Sequence, residues 1–384
     1  MDFHIPTHRL PLFYFAAGAT SAVVLSTIYT FLASPTSRHI ASPLETQHTS
    51  PLRINPYPSA NYIPGARDIA TPHGNVRVYE IGPEEGRKVV LVHGISTPSP
   101  ALAPIAEKLA AKGCRVLFYD LFGRGYSDAP ADSTYDERLY ITQLFYVLAS
   151  SPLTWDKFSI MGYSMGGGIA AAFASYFPAM VEDLVLLAPA GLIRPESAPF
   201  TTKLIYSGLF PQSVMEYLVA RRLKSKPNLR TTPTASDQDP VNAETAGVRQ
   251  AAPEAFGRVV DAAGIVNWQM EKHAGFIGAF TSSFRKGPIR GQHEQWRLIG
   301  KRLDAQRAED KKDSTEEGLK IGKVLMVVGL TDDAVHTPEL LIDAFATLGE
   351  QNLEVLQLDA GHEVPVTRSE EIVEWVWRNW EEQE

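Results

Sequence analysis

Runs of apolar residues alternate with amphipathic stretches along most of this chain. Seven of the runs are continuous enough to predict buried strands, at 76–81, 88–93, 115–121, 158–163, 181–188, 323–328 and 353–358. The stretches between them carry apolar residues at helical spacing, for example at 101–111, 136–148, 338–348 and 369–380. Apolar strands that alternate with helices predict an α/β protein whose mostly parallel sheet is covered by helices on both faces.

The alternation stops between residues 194 and 318. This stretch has helical patterns and a segment rich in Pro, Thr, Ala and Asp, but no strand-like run. Because a structureless loop of this length is unusual inside a compact domain, we expect an inserted helical cap, or lid, over 194–318. The sheet domain then consists of residues 69–193 and 319–384.

The N-terminal residues 1–37 follow a third pattern. No charged residue occurs between Leu10 and Ser37, and the stretch 12–33 is long enough to cross a bilayer as a helix. We expect a single-pass membrane anchor here, and the alternatives are a signal peptide that is cleaved before secretion or an organelle-targeting segment. Residues 38–68 are rich in Pro, Ser and Thr and lack periodicity, so we expect them to form a linker.

Composition narrows the function classes. With 384 residues, of which 44% are hydrophobic and 21% charged, the chain can bury a large core. A net charge of -8 argues against non-specific nucleic-acid binding. The single cysteine, Cys114, begins an apolar run and is expected to be buried. The sequence has neither a metal-ligand cluster nor a phosphate-binding glycine loop, so we expect no metal and no cofactor.

One short motif indicates chemistry. The segment 162–166 reads Gly-Tyr-Ser-Met-Gly, which places Ser164 in a G-x-S-x-G pattern between a strand-like run and the Ala-rich stretch 169–176. A sharp turn from strand to helix exposes the serine hydroxyl, and the two glycines let the neighbouring backbone approach. Ser164 is therefore the candidate nucleophile.

Serine needs a neighbouring base, and the base needs a carboxylate that holds it in the correct tautomer. His362 follows the last predicted strand, and Asp332 follows the one before it, so both should lie at the same sheet edge as Ser164. We expect His362 to be the base and Asp332 the orienting acid. The adjacent Asp333 is the alternative acid, which we interpret as a solvated loop residue.

The negative charge that develops during acyl transfer needs two backbone N–H donors. One should be Met165, the residue after the nucleophile. The other should be Ile95, which follows His93 and Gly94 after the first buried apolar strand. We expect His93 itself to be structural.

These motifs together resemble those of the α/β-hydrolase superfamily over roughly residues 70–380. They are His93-Gly94, Asp120-Leu-Phe-Gly-Arg-Gly-Tyr-Ser-Asp128, Gly162-Tyr-Ser-Met-Gly166, Gly329-Leu-Thr-Asp332 and Gly361-His362. The resemblance implies an eight-stranded sheet, a Ser164/Asp332/His362 triad, an Ile95/Met165 oxyanion hole and a variable cap above the site. The chain departs from the pattern at 95–100, where many members of the superfamily carry another glycine. The segment 120–128 resembles a structural loop.

We expect an esterase or lipase-like serine hydrolase. The anchor and an apolar lid, in which Phe276 or Phe280 could line the pocket, suggest a small-molecule ester or lipid with a lipophilic acid or alcohol. The same triad could serve a thioesterase, an acyltransferase or a C–C hydrolase, and a catalytically silent membrane-tethered scaffold is the alternative from another class. The sequence leaves the acyl group, the membrane orientation and the oligomeric state open.

Overall fold

A computed structural model describes residues 38–43, 61–194, 212–224, 254–308 and 319–382. The strands of these residues are β1 (His39–Ile40), β2 (Ala66–Thr71), β3 (Gly74–Ile81), β4 (Lys88–Val92), β5 (Arg115–Tyr119), β6 (Ala129–Pro130), β7 (Phe158–Tyr163), β8 (Val181–Leu187), β9 (Glu254–Ala255), β10 (Arg258–Val259), β11 (Val324–Gly329) and β12 (Leu353–Leu358). The α-helices are α1 (Ala103–Ala111), α2 (Glu137–Ala149), α3 (Met165–Tyr176), α4 (Gln212–Lys224), α5 (Ala262–Lys272), α6 (Phe276–Lys286), α7 (His293–Ala308), α8 (Thr337–Leu348), α9 (Val364–Thr367) and α10 (Ser369–Glu381).

Eight of the strands form one sheet in the order β12-β11-β8-β7-β4-β5-β3-β2. The strands from β5 to β12 within this sheet pair in parallel, while β3 and β2 pair antiparallel at one edge. Every residue of β7 and of β11 is buried, and since successive side chains point to opposite faces, both faces of the sheet are covered. The predicted fold, a mostly parallel eight-stranded sheet with helices, is confirmed.

Of the eight strands of this sheet, only β2 lacks a predicted apolar run; the two-residue strands β1, β6, β9 and β10 were also not predicted, and β9 and β10 lie in the stretch 194–318, where no strand was expected. The residues of β2 alternate between half-buried and exposed, and the strand contains Arg67 and Asp68, so its sequence lacks an apolar run. It pairs along its whole length with β3, and Arg77 of β3 forms an ion pair with Asp68 at 2.7 Å. Tertiary pairing, rather than local hydrophobicity, makes this edge strand.

Two parts of the expected linker 38–68 contact the folded body. Strand β2 starts at Ala66, and β1 pairs antiparallel with β6 beside the loop 120–128. The backbone N–H of Ser42 donates to Asp128 Oδ1 at 2.7 Å. Both described parts of the expected linker, residues 38–43 and 61–68, therefore contain residues that pair with or donate to the folded body.

Helices occupy the described parts of the insertion 194–318. Helices α4, α5, α6 and α7 and the short β9–β10 hairpin lie between β8 and β11 in the chain. Helix α6 packs against α4 and α5, whereas α7 packs against α3 and α8 of the sheet domain. No helix in the described residues is long and apolar enough to cross a membrane. The apolar stretch 12–33, for which an anchor was expected, lies outside the described residues.

Candidate active site

Ser164 stands at the turn between β7 and α3, in a backbone conformation that side chains rarely adopt. Its φ is 54° and its ψ is -121°. Four backbone hydrogen bonds hold this strained residue in place: its N–H donates to the Leu187 carbonyl at 2.9 Å, and its carbonyl accepts from Gly167 and Ala190 at 2.9 Å and from Gly168 at 3.4 Å. Such strain persists only where the surroundings determine it, and here it presents the hydroxyl above the sheet edge.

The two motif glycines are required by close backbone approach. A Cβ atom at Gly162 would lie 2.2 Å from the carbonyl oxygen of Gly166, and one at Gly166 would lie 2.1 Å from the carbonyl oxygen of Val92. The sharp turn thus brings helix α3 against β4 as well as β7. This explains the glycine spacing around Ser164 in steric terms.

Ser164, His362 and Asp332 form one hydrogen-bonded chain. His362 Nε2 lies 3.0 Å from Ser164 Oγ, and His362 Nδ1 lies 2.8 Å from Asp332 Oδ2. All three side chains are buried, although they come from loops that follow three different strands, β7, β11 and β12. The alternative acid, Asp333, is exposed.

The surroundings of Asp332 keep its carboxylate ionised. Burial raises the pKa of Asp332, but the His362 imidazole and the N–H groups of Val335 and Ala334 outweigh this effect and lower the pKa below its ordinary value. These two N–H groups donate to Asp332 Oδ1 at 3.1 and 2.8 Å, so that Oδ2 is available for the imidazole. An ionised carboxylate only accepts hydrogen bonds, so Nδ1 of His362 carries the proton and Nε2 faces Ser164 as an acceptor.

Ile95 and Met165 flank the serine. Both line the same cleft as Ser164 and His362. Met165 begins helix α3, where the first backbone N–H groups have no acceptor inside the helix. Within the described residues, neither Ile95 nor Met165 donates its N–H to another backbone carbonyl. Two unused donors therefore lie at the site where the sequence places an oxyanion hole.

His93 holds the loop that carries Ile95. Its Nε2 accepts the Leu121 N–H at 2.8 Å, so its Nδ1 carries the proton and donates to the Gly94 carbonyl at 2.7 Å. Burial lowers the pKa of His93 to about 3, which keeps the ring neutral. The structural interpretation of His93 agrees with this geometry.

The loop 120–128 is likewise occupied by internal contacts. Asp120 accepts the backbone N–H groups of Ser99 and Tyr126, each at 2.9 Å, and burial raises the pKa of Asp120 to about 6. Asp128 accepts from Ser42 and from Asn75, each at 2.7 Å. The two aspartates of this loop thus bind backbone groups of β3 and of Ser42 and Ser99. In the residues that the structure describes, they make no hydrogen bond to Ser164.

The cleft beside Ser164 is almost entirely apolar. It is lined by Ile95, Ser164, Met165, Ala190, Ile193, Phe280, Phe284, Ile289, Ala334, Val335 and His362. Of the two cap residues considered from the sequence, Phe280 lines the cleft, whereas Phe276 is buried and is not among the lining residues. Pattern reading missed Phe284, although its position one helical turn after Phe280 is a signal that places both rings on one helix face.

No cluster of three or more potential metal ligands occurs in the part of the chain that the structure describes. The buried Cys114 has a pKa raised to about 11 by burial, so its thiol is not a competing nucleophile.

A family model for the alpha/beta hydrolase fold matches residues 88–367. The chain belongs to this family. A serine hydrolase-like protein of Danio rerio is 32% identical over 137 residues, which cover 35% of this chain and 41% of the relative. A 2-hydroxymuconate semialdehyde hydrolase of Pseudomonas putida is 34% identical over 119 residues, with 31% and 42% covered.

Among solved structures, a bacterial membrane phospholipase A superposes on this alpha/beta hydrolase with a TM-score of 0.57 at 16% identity, covering 97% of this chain and 98% of the other. At this identity the similarity shows the fold alone. The chain spans about two fifths of the length of the curated relatives it matches. Activity and substrate therefore have to be argued from the site.

Proposed function

We propose that this alpha/beta hydrolase is a serine hydrolase that cleaves a carboxylic ester through an acyl-enzyme on Ser164. The observation that carries the proposal is the hydrogen-bonded chain from Ser164 through His362 to Asp332 at an apolar cleft. A nucleophile, a base and an orienting acid in this arrangement are what acyl transfer requires.

In the first half of the reaction, Ser164 Oγ attacks the ester carbonyl carbon while His362 Nε2 takes the hydroxyl proton. The carbonyl π electrons move to oxygen, and the N–H groups of Ile95 and Met165 donate to this oxyanion. The imidazolium is stabilised by the ionised Asp332, whose pKa is lowered. When the intermediate collapses, the bond to the alcohol oxygen breaks and His362 protonates the leaving alcohol.

In the second half, water replaces the alcohol. His362 Nε2 takes a proton from the water as its oxygen attacks the acyl carbon, and the same two N–H groups hold the second oxyanion. Collapse breaks the bond to Ser164 Oγ, which regains a proton from His362. The products are a carboxylic acid and free enzyme, so that atoms and protons balance without a cofactor.

The lining of the cleft supports a lipophilic acyl group or alcohol. Apart from Ser164 and His362, every lining residue is apolar, and the rings of Phe280 and Phe284 come from cap helix α6. An apolar cleft favours uncharged chains, because a charged group placed there would lose its hydration without gaining a partner. This lining supports an ester with a lipid-type acyl chain or alcohol as the proposed substrate class.

A second candidate is hydrolysis of a carbon–carbon bond, which the resemblance to the Pseudomonas putida hydrolase favours. The same serine, base and N–H donors could serve that reaction. The apolar lining favours the ester. A comparison of purified enzyme on p-nitrophenyl esters and on a ring-fission product of the muconate semialdehyde class separates the two.

The proposed function is tested with a fluorophosphonate probe and with p-nitrophenyl esters of increasing chain length. We expect the wild type to be labelled and to hydrolyse the esters, and Ser164→Ala to lose both properties while it remains folded. The matched control is Ser175→Ala, which removes a buried hydroxyl at the far end of helix α3. Folded wild type that neither reacts with the probe nor turns over any ester would instead indicate a catalytically silent scaffold.

We also propose that residues 12–33 anchor the enzyme in a membrane. The support is the sequence: 22 consecutive residues without charge, which is the length that a bilayer-spanning helix needs. An anchored enzyme would meet lipid esters at the surface where they are concentrated. The location that follows is a membrane, with secretion after signal cleavage as the alternative.

A further inference from the structure

Three consecutive carbonyl groups of the loop that carries Ile95 each accept a hydrogen bond from a buried side chain. His93 Nδ1 donates to the Gly94 carbonyl at 2.7 Å, Arg124 Nε to the Ile95 carbonyl at 3.0 Å, and Gln269 Nε2 to the Ser96 carbonyl at 2.8 Å. The Gly94 carbonyl and the Ile95 N–H belong to one planar peptide unit. Holding the Gly94 carbonyl therefore fixes the direction of the Ile95 N–H, while Arg124 and Gln269 hold the two peptide units that follow it.

The donors come from three parts of the fold. His93 follows β4, Arg124 belongs to the loop 120–128, and Gln269 belongs to cap helix α5. The Gln269 side-chain oxygen also accepts the N–H of Gly125, the residue next to Arg124, at 2.8 Å. The loop of Ile95 thus depends on side chains of both the sheet domain and the cap.

Arg124 is the centre of this arrangement. Besides Ile95, its guanidinium donates to the Phe122 carbonyl at 2.8 Å, to Tyr140 Oη at 2.9 Å and to Ser283 Oγ at 2.8 Å. Ser283 lies on cap helix α6, between the cleft-lining Phe280 and Phe284. One side chain therefore connects the oxyanion loop with the helix that forms the wall of the cleft.

The charge of Arg124 is buried among neutral acceptors. The residue is 0% exposed, and within the described part of the chain its hydrogen-bond partners are carbonyls and hydroxyls, with no carboxylate forming an ion pair with it. Burying an ion without a counter-ion is costly. In the proposed reaction a negative charge develops on the substrate oxygen beside the Ile95 N–H, and Arg124 holds the carbonyl of this same residue.

We propose that Arg124 is a positioning residue for the oxyanion hole, which restrains the backbone directly after the Ile95 N–H by holding the Ile95 carbonyl, and which supplies a buried positive charge that favours the oxyanion. The inference rests on the proposed function, because the oxyanion forms in that reaction. It also explains how the segment 95–100 keeps its shape without a further glycine: side chains from outside the loop hold its carbonyls. Through Ser283 and Gln269, the cap takes part in this support.

The test compares full-length wild type with Arg124→Met, which removes the charge and the donors at similar volume. A trifluoromethyl ketone adds to Ser164 as an anionic tetrahedral adduct, whereas an ether of the same chain length occupies the cleft without charge. We expect Arg124→Met to weaken binding of the ketone about 30-fold, less than loss of a direct oxyanion donor costs. Binding of the ether should change less than about 3-fold, and kcat on p-nitrophenyl butyrate should fall with ketone affinity while KM stays nearly constant.

Two further variants separate positioning from general stability. Gln143→Leu removes buried hydrogen bonds to the same loop, at Phe122 and Asp120, without touching Ile95. It should lower the melting temperature and leave the ratio of ketone to ether affinity unchanged. Arg124→Gln keeps an amide donor without the charge and should give a ratio between those of wild type and Arg124→Met, which covers the case in which Arg124→Met does not fold.

A wild-type ratio of ketone to ether affinity in folded Arg124→Met or folded Arg124→Gln would overturn the proposal. A ratio that falls equally in Gln143→Leu would overturn it too, because the effect would then report loop stability. Both outcomes leave the proposed function standing, since that is judged by the loss of probe labelling and turnover in Ser164→Ala.

Discussion

At the scale of single residues, the site depends on which proton each buried group holds. Asp332 is ionised because His362 and two N–H groups outweigh the effect of burial on its pKa, and this charge fixes the tautomer of His362. The neighbouring Asp333 has the same chemical group and an exposed position. Two adjacent carboxylates therefore have different surroundings, and the proposed role of orienting acid belongs to the buried one.

Asp332→Asn tests this assignment. The amide can donate to His362 Nδ1, which moves the ring proton to Nε2, so that the ring no longer accepts a proton from Ser164. We expect kcat on p-nitrophenyl butyrate to fall by about 10⁴-fold with little change in the fold. Asp333→Asn is the matched control and should retain activity within about 2-fold. Equal losses in the two variants would refute the assignment of Asp332 as the orienting acid.

Asp120 predicts a pH dependence of stability. Burial raises its pKa from 3.8 to about 6. Between these two pH values the folded state holds a proton on Asp120 that the unfolded chain has released. The stability that this proton contributes is fully present below about pH 4 and is lost as the pH rises through about 6. Across this window the wild type should lose about 3 kcal/mol of unfolding free energy relative to Asp120→Asn.

Urea unfolding of both proteins at several pH values between about 4 and 7 measures this difference. The replacement of a buried acceptor adds a constant offset between the two proteins, so the slope against pH is the quantity of interest. Asp132→Asn, at an exposed position nearby, should run parallel to wild type. A wild-type curve parallel to that of Asp120→Asn would show that Asp120 does not titrate in this window.

At the scale of elements, the turn from β7 to α3 is the feature that sequence and structure describe in the same way. The pattern of glycines predicts close backbone contact, and the structure shows which backbone is approached. Strand β2 is the opposite case, because its polar, alternating residues form a strand only through pairing with β3. Local patterns therefore suffice where a strand carries an apolar run, as even the edge strand β12 does, and fail at β2, which has none.

Gly166→Ala tests the steric argument. The new Cβ would lie 2.1 Å from the Val92 carbonyl oxygen and 2.6 Å from that of His93, so helix α3 has to move away from β4. We expect a loss of more than about 3 kcal/mol in unfolding free energy and of most esterase activity. Chemical denaturation and turnover of p-nitrophenyl butyrate measure the two effects.

Gly278→Ala is the control for that substitution. It lies in helix α6, where the nearest atom to an added Cβ is a flexible Glu216 carboxylate oxygen at 3.3 Å. Alanine favours helix over glycine by up to about 1 kcal/mol, so this variant should be as stable as wild type or slightly more stable. Similar destabilisation by both variants would contradict the assignment of the effect to backbone contact at Gly166.

At the scale of the whole molecule, residues 39–42 of the expected linker contact the alpha/beta hydrolase body. Strand β1 pairs with β6, and Ser42 donates to Asp128 of the loop that also contains Arg124. The expected linker is therefore in contact with the structural loop next to the site.

The anchor is tested in full-length protein by replacing Val23 and Val24 with arginine. Each arginine in the middle of a spanning helix costs about 3 kcal/mol on an insertion scale, so we expect the double variant to leave the membrane fraction after carbonate extraction. The same two positions changed to leucine are the control and should stay in the pellet. Wild type that is extracted like the arginine variant, or a mature chain that lacks residues 1–37, would contradict a retained anchor.

The sequence by itself determined the parts of this protein that depend on local pattern. Apolar runs predict the buried parallel strands, and the glycines around Ser164 predict a sharp turn. Asp332 and His362 follow successive parallel strands, which places them at one sheet edge. These features follow from periodicity and from the geometry of parallel sheets.

Tertiary structure decided what depends on neighbours distant in the chain. Burial separated Asp332 from Asp333, strand pairing created β2, and packing turned Phe280 rather than Phe276 toward the cleft. The buried charge of Arg124 next to the Ile95 carbonyl belongs here too, since a lone arginine in a glycine-rich turn gives no sign of its partners. Interaction energies between distant residues have no local pattern, because they arise only when the fold brings those residues together.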